Sequence, residues 1–179
     1  MAVLNIPDKK QSITEFGAIK KFLDVRGILI EQWAASAEFS ADAAQDEILH
    51  AYRPTLKPYM EKHGYQVADV IAVHPETPNL DALKEKFLRE HTHSEDEVRF
   101  FVEGKGYFWF NHNDEIFCVT CEAGDLMSVP KGYKHWFDMG EKPFVKVIRI
   151  FIDPAGWVPE YTDSDVEQRY EPVYKASVS

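Results

Sequence analysis

From His91 to Asp153 the chain breaks into short β-branched and aromatic runs separated by turn residues every eight to twelve positions. That rhythm is the strongest constraint on its fold. Stretches 98–102, 107–111, 116–120, 126–129, 135–137 and 144–152 each read as a strand. Asn113-Asp114 and Gly140-Glu141-Lys142 read as hairpin turns. Many short strands in series build a sandwich or a barrel rather than a parallel sheet. The fold class expected is therefore mainly β, with helices and strands of the N-terminal region packed on the barrel.

The flanking regions read differently. Before residue 80, helix and strand signals alternate. Ile13, Phe16, Ile19, Phe22 and Leu23 recur at helical spacing until Gly27 stops them, and Ile28, Leu29, Ile30 and Trp33 suggest a strand. Ser40 suits the cap of a helix through Ile48, Leu49 and Tyr52, which Pro54 and Pro58 should kink or break. Stretch 67–73 reads as a strand and 80–87 as a short helix. After Pro159 the chain is polar and aperiodic. One domain over 1–179 is expected: α/β decoration at 1–80, a barrel at 81–158 and a polar C-terminal arm at 159–179.

Composition narrows the function. Thirty Asp+Glu against 20 Lys+Arg give a formal net charge of −10, with no basic patch to meet phosphate backbones, so no nucleic-acid partner is expected. No run approaches the roughly 18 apolar residues of a membrane helix, and residues 1–12 lack the apolar core of a signal peptide. Two cysteines cannot build a disulfide scaffold. The expectation is a soluble, cytoplasmic protein without a membrane partner.

Chemistry concentrates in Glu90-His91-Thr92-His93-Ser94-Glu95-Asp96-Glu97-Val98-Arg99. In extended chain, residues two apart share a face, so His91 and His93 stand side by side and Glu97 has the same parity. Two imidazoles and a carboxylate suit a non-haem divalent metal with open positions. His135, after the turn-rich Pro130-Lys131-Gly132-Tyr133-Lys134, is the candidate fourth ligand. The competing reading is a solvated acidic turn beside two unrelated histidines. Cys118 and Cys121 form a C-x-x-C, but three apart on a strand they face opposite sides and read as packing residues.

The glycine and proline spacing favours the metal. His91-x-His93-x3-Glu97-x6-Gly104 resembles the first motif of the cupin superfamily, and Gly124-x5-Pro130-x-Gly132-x2-His135 resembles the second. Two positions depart from that pattern: Glu85 stands where a glycine is expected, and Met139 where an asparagine is common. Neither is a ligand. The implied fold is a double-stranded β-helix, or jelly roll.

A narrower resemblance spans almost the whole chain. The Glu90–Arg99 segment running on to Gly104, Leu126-Met127-Ser128-Val129-Pro130, His135-Trp136-Phe137-Asp138 and Ile148-Arg149-Ile150-Phe151 are similar to the bacterial-type acireductone dioxygenase family of methionine salvage. So are Gly64-Tyr65 ahead of Asp69-Val70-Ile71, and Gly156-Trp157. The resemblance implies one divalent ion per chain, Fe(II) or Ni(II) with Co(II) and Mn(II) also suited, held by His91, His93, Glu97 and His135. It implies O2 and acireductone (1,2-dihydroxy-5-methylthiopent-1-en-3-one) as substrates and a monomeric enzyme. The Fe(II) form would give 4-methylthio-2-oxobutanoate and formate; the Ni(II) form would give 3-methylthiopropanoate, formate and CO.

Site roles follow from the same resemblance. Arg99 matches an arginine that favours the substrate dianion, the alternative being a structural ion pair with a neighbouring carboxylate. Glu95 shares that face as a base or as a hydrogen-bond acceptor behind the ligands; an exposed turn carboxylate is the other reading. Glu90 and Asp96 match positions tied to metal incorporation and to relayed conformational change. Phe101, Phe137 and Trp157, with Phe100 as a weaker candidate, would line a pocket for the methylthio tail, against a plain core role. Two other readings stay open: a metal cupin acting as oxygenase or isomerase on a different enediol or diketone, and a catalytically silent metal-binding module.

Overall fold

Strand β6 (Glu97–His112) organises the molecule, because its two halves belong to different sheets. The computed structural model describes residues 2–34, 39, 40, 42–153, 155 and 158–176. In chain order these form β1 (Val3–Ile6), β2 (Gln11–Ile13), α1 (Phe16–Asp24), β3 (Leu29–Gln32), α2 (Gln45–His63), β4 (Val67–Val73), α3 (Leu80–Leu88) and β5 (His91–Thr92). After β6 come β7 (Glu115–Glu122), β8 (Asp125–Val129), β9 (Lys134–Asp138), β10 (Val145–Phe151), β11 (Glu160–Tyr161) and α4 (Val173–Ala176). One sheet runs β11-β5-β9-β6-β7-β1-β2; the other runs β3-β8-β6-β10-β4, and every pairing is antiparallel.

The turn from one sheet to the other falls at Gly104, where φ is +77°. A Cβ there would overlap the carbonyl of Phe144, which already accepts a hydrogen bond from Lys105 N–H at 3.2 Å. Only glycine satisfies both the backbone angle and the close approach. Gly104→Ala should therefore cost about 2–4 kcal/mol of stability, read as a lower denaturation midpoint. Unchanged stability would mean that the corner does not depend on this residue.

Apolar alternation places the core. Phe101, Phe108, Phe110, Phe117, Val119, Met127, Val145 and Val147 point between the sheets with Leu4, Ile19, Leu23 and Ile30. The other face of the second sheet carries Val98, Phe100, Leu126, Ile148 and Ile150 and is covered by Ile48, Tyr52, Leu56 and Tyr59 of α2. Outside the first sheet, Trp109 and Trp136 stack at 5.5 Å beneath Val166, Tyr170 and Val173 of the arm. Cys118 lies under the arm and Cys121 inside, as their spacing predicts.

Several local expectations are corrected. Helix α2 begins after Ala44, not at Ser40, and its first turn carries Asp46 and Glu47, whose charge suits a helix N-terminus. It also runs unbroken through Pro54 and Pro58. Both prolines lie on the exposed face, so water can serve the carbonyls that lose their donors. Burying four large side chains at about 1.5–3 kcal/mol each outweighs roughly 3 kcal/mol per interior proline. Stretches 98–102 and 107–111 are one strand, not two. Asn113 and Asp114, at φ 50° and 70°, make the expected hairpin turn between β6 and β7. Gly140–Lys142 does not: β9 pairs with β5 and β6 while β10 pairs with β4 and β6, so this turn crosses between sheets.

Candidate metal centre

His91 and His135 are direct cross-strand partners on β5 and β9, which brings two imidazoles together by register alone. His93 follows β5, and its carbonyl accepts Gly132 N–H at 2.9 Å from the loop that leads to His135. The chain then turns through 94–96 and re-enters the sheet at Glu97. His91, His93 and Glu97 do not lie on the one continuous strand that their shared parity suggested. The turn nevertheless returns the carboxylate to the histidines. Ring centroids of the three imidazoles are 4.6–5.1 Å apart, and a nitrogen of each lies within 4.8 Å of the others. Glu97 Oε2 is 2.6 Å from His135 Nε2 and 3.4 Å from His93 Nε2.

Two of the rings are aimed from behind. His91 Nδ1 lies 2.6 Å from the Arg89 carbonyl and His135 Nδ1 lies 2.8 Å from that of Tyr133. A carbonyl can only accept, so both Nδ1 atoms carry the proton and both Nε2 lone pairs face the centre. Burial pushes the His91 imidazole down to about 3 and that of His93 down to about 4, so both are neutral at pH 7. Burial alone would raise the Glu97 carboxyl; Arg99, His135 and His93 outweigh it and hold the group ionised. His135 Nε2 and Glu97 Oε2 are close and buried, yet share no hydrogen bond, since a bare Nε2 and an ionised carboxylate both only accept. Imidazole lone pairs and a carboxylate converging in a dry interior fit a divalent cation and would be costly as a purely structural cluster.

Arg99 lies beside this set. Its Nη2 is 2.9 Å from Glu97 Oε1, and its guanidinium sits 4.8, 5.5 and 5.6 Å from the ring centres of Phe137, Phe108 and Phe87. Desolvation lowers its pKa, with Glu97 opposing that and the like charge of Arg149 adding to it. Gly106 leaves the space for the Phe137 ring, which a Cβ would overlap. Phe101 packs 6.4 Å from Phe137 within the interior cluster, and Phe100 lies on the opposite face under α2. Trp157 is outside the described residues. Phe87, from α3, and Phe108 escaped the sequence reading. Nothing local marks a helical phenylalanine as a ring on an arginine, whereas Phe108 could have been found as the cross-strand partner of Phe137.

The remaining acids are ties. Glu90, buried, accepts from Thr162 Oγ1–H at 2.7 Å and from Asn111 Nδ2–H at 2.9 Å, linking β5 to the arm and to β6. Asp96 accepts Lys131 N–H at 3.0 Å and Tyr65 O–H at 3.2 Å, holding the loop before His135. Glu95 Oε2 accepts Asp153 N–H at 3.1 Å.

Two antiparallel sheets enclosing three histidines and a glutamate make this a cupin-type metal protein with a site for one divalent ion. Its kinship is narrower than that. The model of the ARD/ARD' family matches residues 6–159, and the chain belongs to that family. It is 53% identical to an acireductone dioxygenase from a Picosynechococcus species, over 97% of this chain and 99% of that one. It is 46% identical to one from Aquifex aeolicus, over 94% and 92%. Among solved structures, an acireductone dioxygenase from Bacillus anthracis with a cadmium ion in its active centre superposes with a TM-score of 0.84 at 36% identity, covering 90% of this chain and 98% of that one. Among the described residues no helix is long and apolar enough to cross a membrane.

Proposed function

We propose that this chain is a metal-dependent dioxygenase that cleaves acireductone with O2 in methionine salvage, working as a cytoplasmic monomer. The observation that carries the reading is the convergence of His91, His93, His135 and Glu97, with Arg99 2.9 Å from the carboxylate. These four residues would hold Fe(II) or Ni(II). When bound, the ion supplies Lewis acidity and redox chemistry to a chelating substrate.

The chain's own groups do the rest. Arg99 offers a fixed positive charge in a dry site, which lowers the pKa of nearby enediol hydroxyls and favours the electron-rich dianion. Glu95 is the candidate base. Its hydrogen bond to Asp153 N–H fixes where its carboxylate stands. Glu90 and Asp96 keep the ligand-bearing segments in place. Phe137, Phe101 and Trp157 are the proposed apolar wall for the methylthio tail, on whose rings sulfur packs well.

One polypeptide should give two outcomes. Apoprotein reloaded with Fe(II) is expected to yield 4-methylthio-2-oxobutanoate and formate. Reloaded with Ni(II), it is expected to yield 3-methylthiopropanoate, formate and CO. Product analysis on two verified single-metal samples checks this. Identical product ratios would overturn the metal-dependent part, and no turnover of acireductone with either ion would overturn the whole reading.

A further inference from the structure

A row of charge crosses the interior face of the second sheet. Arg99 on β6 is the cross-strand partner of Arg149 on β10, and Arg149 is the partner of Asp69 on β4. All three share the inward parity of Val145 and Val147 on β10, Ile71 and Val73 on β4, and Met127 opposite Arg99 on β8. The alternate residues Ile148 and Ile150 face α2 instead. The row runs outward from the candidate metal ligands: Arg99 is 6% exposed at its side chain, Arg149 21% and Asp69, on the edge strand, 25%.

The order of charges is the informative part. With Glu97 two residues from Arg99 and Asp69 beyond Arg149, the sequence of signs is minus, plus, plus, minus. Like charges directly opposite on antiparallel strands destabilise a sheet. A row built for stability alone would alternate. Here the two guanidinium groups stand together and their carboxylates stand at the ends. Asp69 grips Arg149 at two points, Nε to Oδ1 at 2.7 Å and Nη2 to Oδ2, which fixes the guanidinium plane. A half-dry patch of two positive charges with fixed planes suits a small anion that presents two oxygens.

We infer that Arg149, braced by Asp69, is a second anion-docking residue that leads from the open edge of the sheet to Arg99, receiving the enediolate of the substrate and the carboxylate of the oxo-acid product. This rests on the proposed function for the identity of the substrate. It divides the labour between the two arginines: Arg149 serves capture, and Arg99, beside the metal ligands, serves the reaction.

The test compares Fe(II)-loaded wild type with Arg149→Met and Arg149→Lys, and with Asp69→Asn/Arg149→Met in case the lone carboxylate impairs folding. Two quantities are read: KM and kcat for acireductone, and the Kd for 4-methylthio-2-oxobutanoate by calorimetric titration. Both charge-removing variants are expected to keep one metal per chain and kcat within about threefold. Their KM and Kd should rise about tenfold. Arg149→Lys should recover most of that loss by retaining the charge. Unchanged KM and Kd in the charge-removing variants would overturn the inference and leave Asp69–Arg149 as a structural tie. Absence of turnover by the wild type would instead overturn the functional reading, and the acid titration would still decide the role of Arg149.

Discussion

His91→Ala/His93→Ala is expected to hold less than about a tenth of an ion per chain after purification, against about one for the parent. The two rings supply half of the donor set. Losing both leaves His135 and Glu97, a pair that cannot outcompete water and chelators for a first-row metal. Turnover should fall below detection with it. The chain should still fold, because the sheets are closed by cores that contain no ligand: one between the sheets, one under α2 and one under the arm. Elemental analysis together with circular dichroism makes the check. Stoichiometric metal in a folded double variant would show that the ion binds elsewhere.

Arg99→Ala should separate binding of the metal from chemistry. The guanidinium contacts Glu97 through Oε1, while Oε2 faces His93 and His135, so removing it leaves the donor atoms in place. Metal content is therefore expected to stay near one per chain. Turnover should drop by about 10²–10³, the usual cost of removing one preorganised charge from the site where a transition state gathers its own. The loss should appear chiefly in kcat. Arg99→Lys should recover only part of it, because an ammonium cannot keep both the contact with Glu97 and the stacking on Phe137, Phe108 and Phe87. Near-normal kcat with normal metal content would make Arg99 structural.

Much of this site was readable as spacing. The i, i+2 pair at His91 and His93 and the turn leading to His135 each encode position locally, and β5 and β9 then align His91 with His135 as neighbours in register. Short apolar runs rich in β-branched residues, such as Val67–Val73, were equally plain as strands. What the chain concealed is what depends on partners distant in sequence. Pro54 and Pro58 argue locally for a break, and only the burial of Ile48, Tyr52, Leu56 and Tyr59 against the barrel overrides them. Gly140–Lys142 has the chemistry of a hairpin turn. Which sheet receives the next strand was decided by β4 and β6, far away in the chain. Phe87 reaches Arg99 from a helix whose own pattern says nothing of an arginine. The arm after Pro159 is polar along its length, yet it places a few large side chains on Trp109 and Trp136 and pairs Tyr161 with His91.

Because β6 changes sheets at Gly104, Glu97 pairs within the second sheet while His91 and His135 sit on strands of the first. An ion held by all of them is a rivet between two plates. Its binding energy is then also folding energy, growing with the ratio of free metal to Kd by about 1.4 kcal/mol for every tenfold. At equal occupancy the gain does not depend on which element the rivet is made of. An ion that supports no turnover braces the plates as well as one that does, so mismetallated molecules would be as durable as active ones. Quality control that senses unfolding has nothing to grip on them, and the amount of this protein in a cell would report how fully its site is filled, not with which metal.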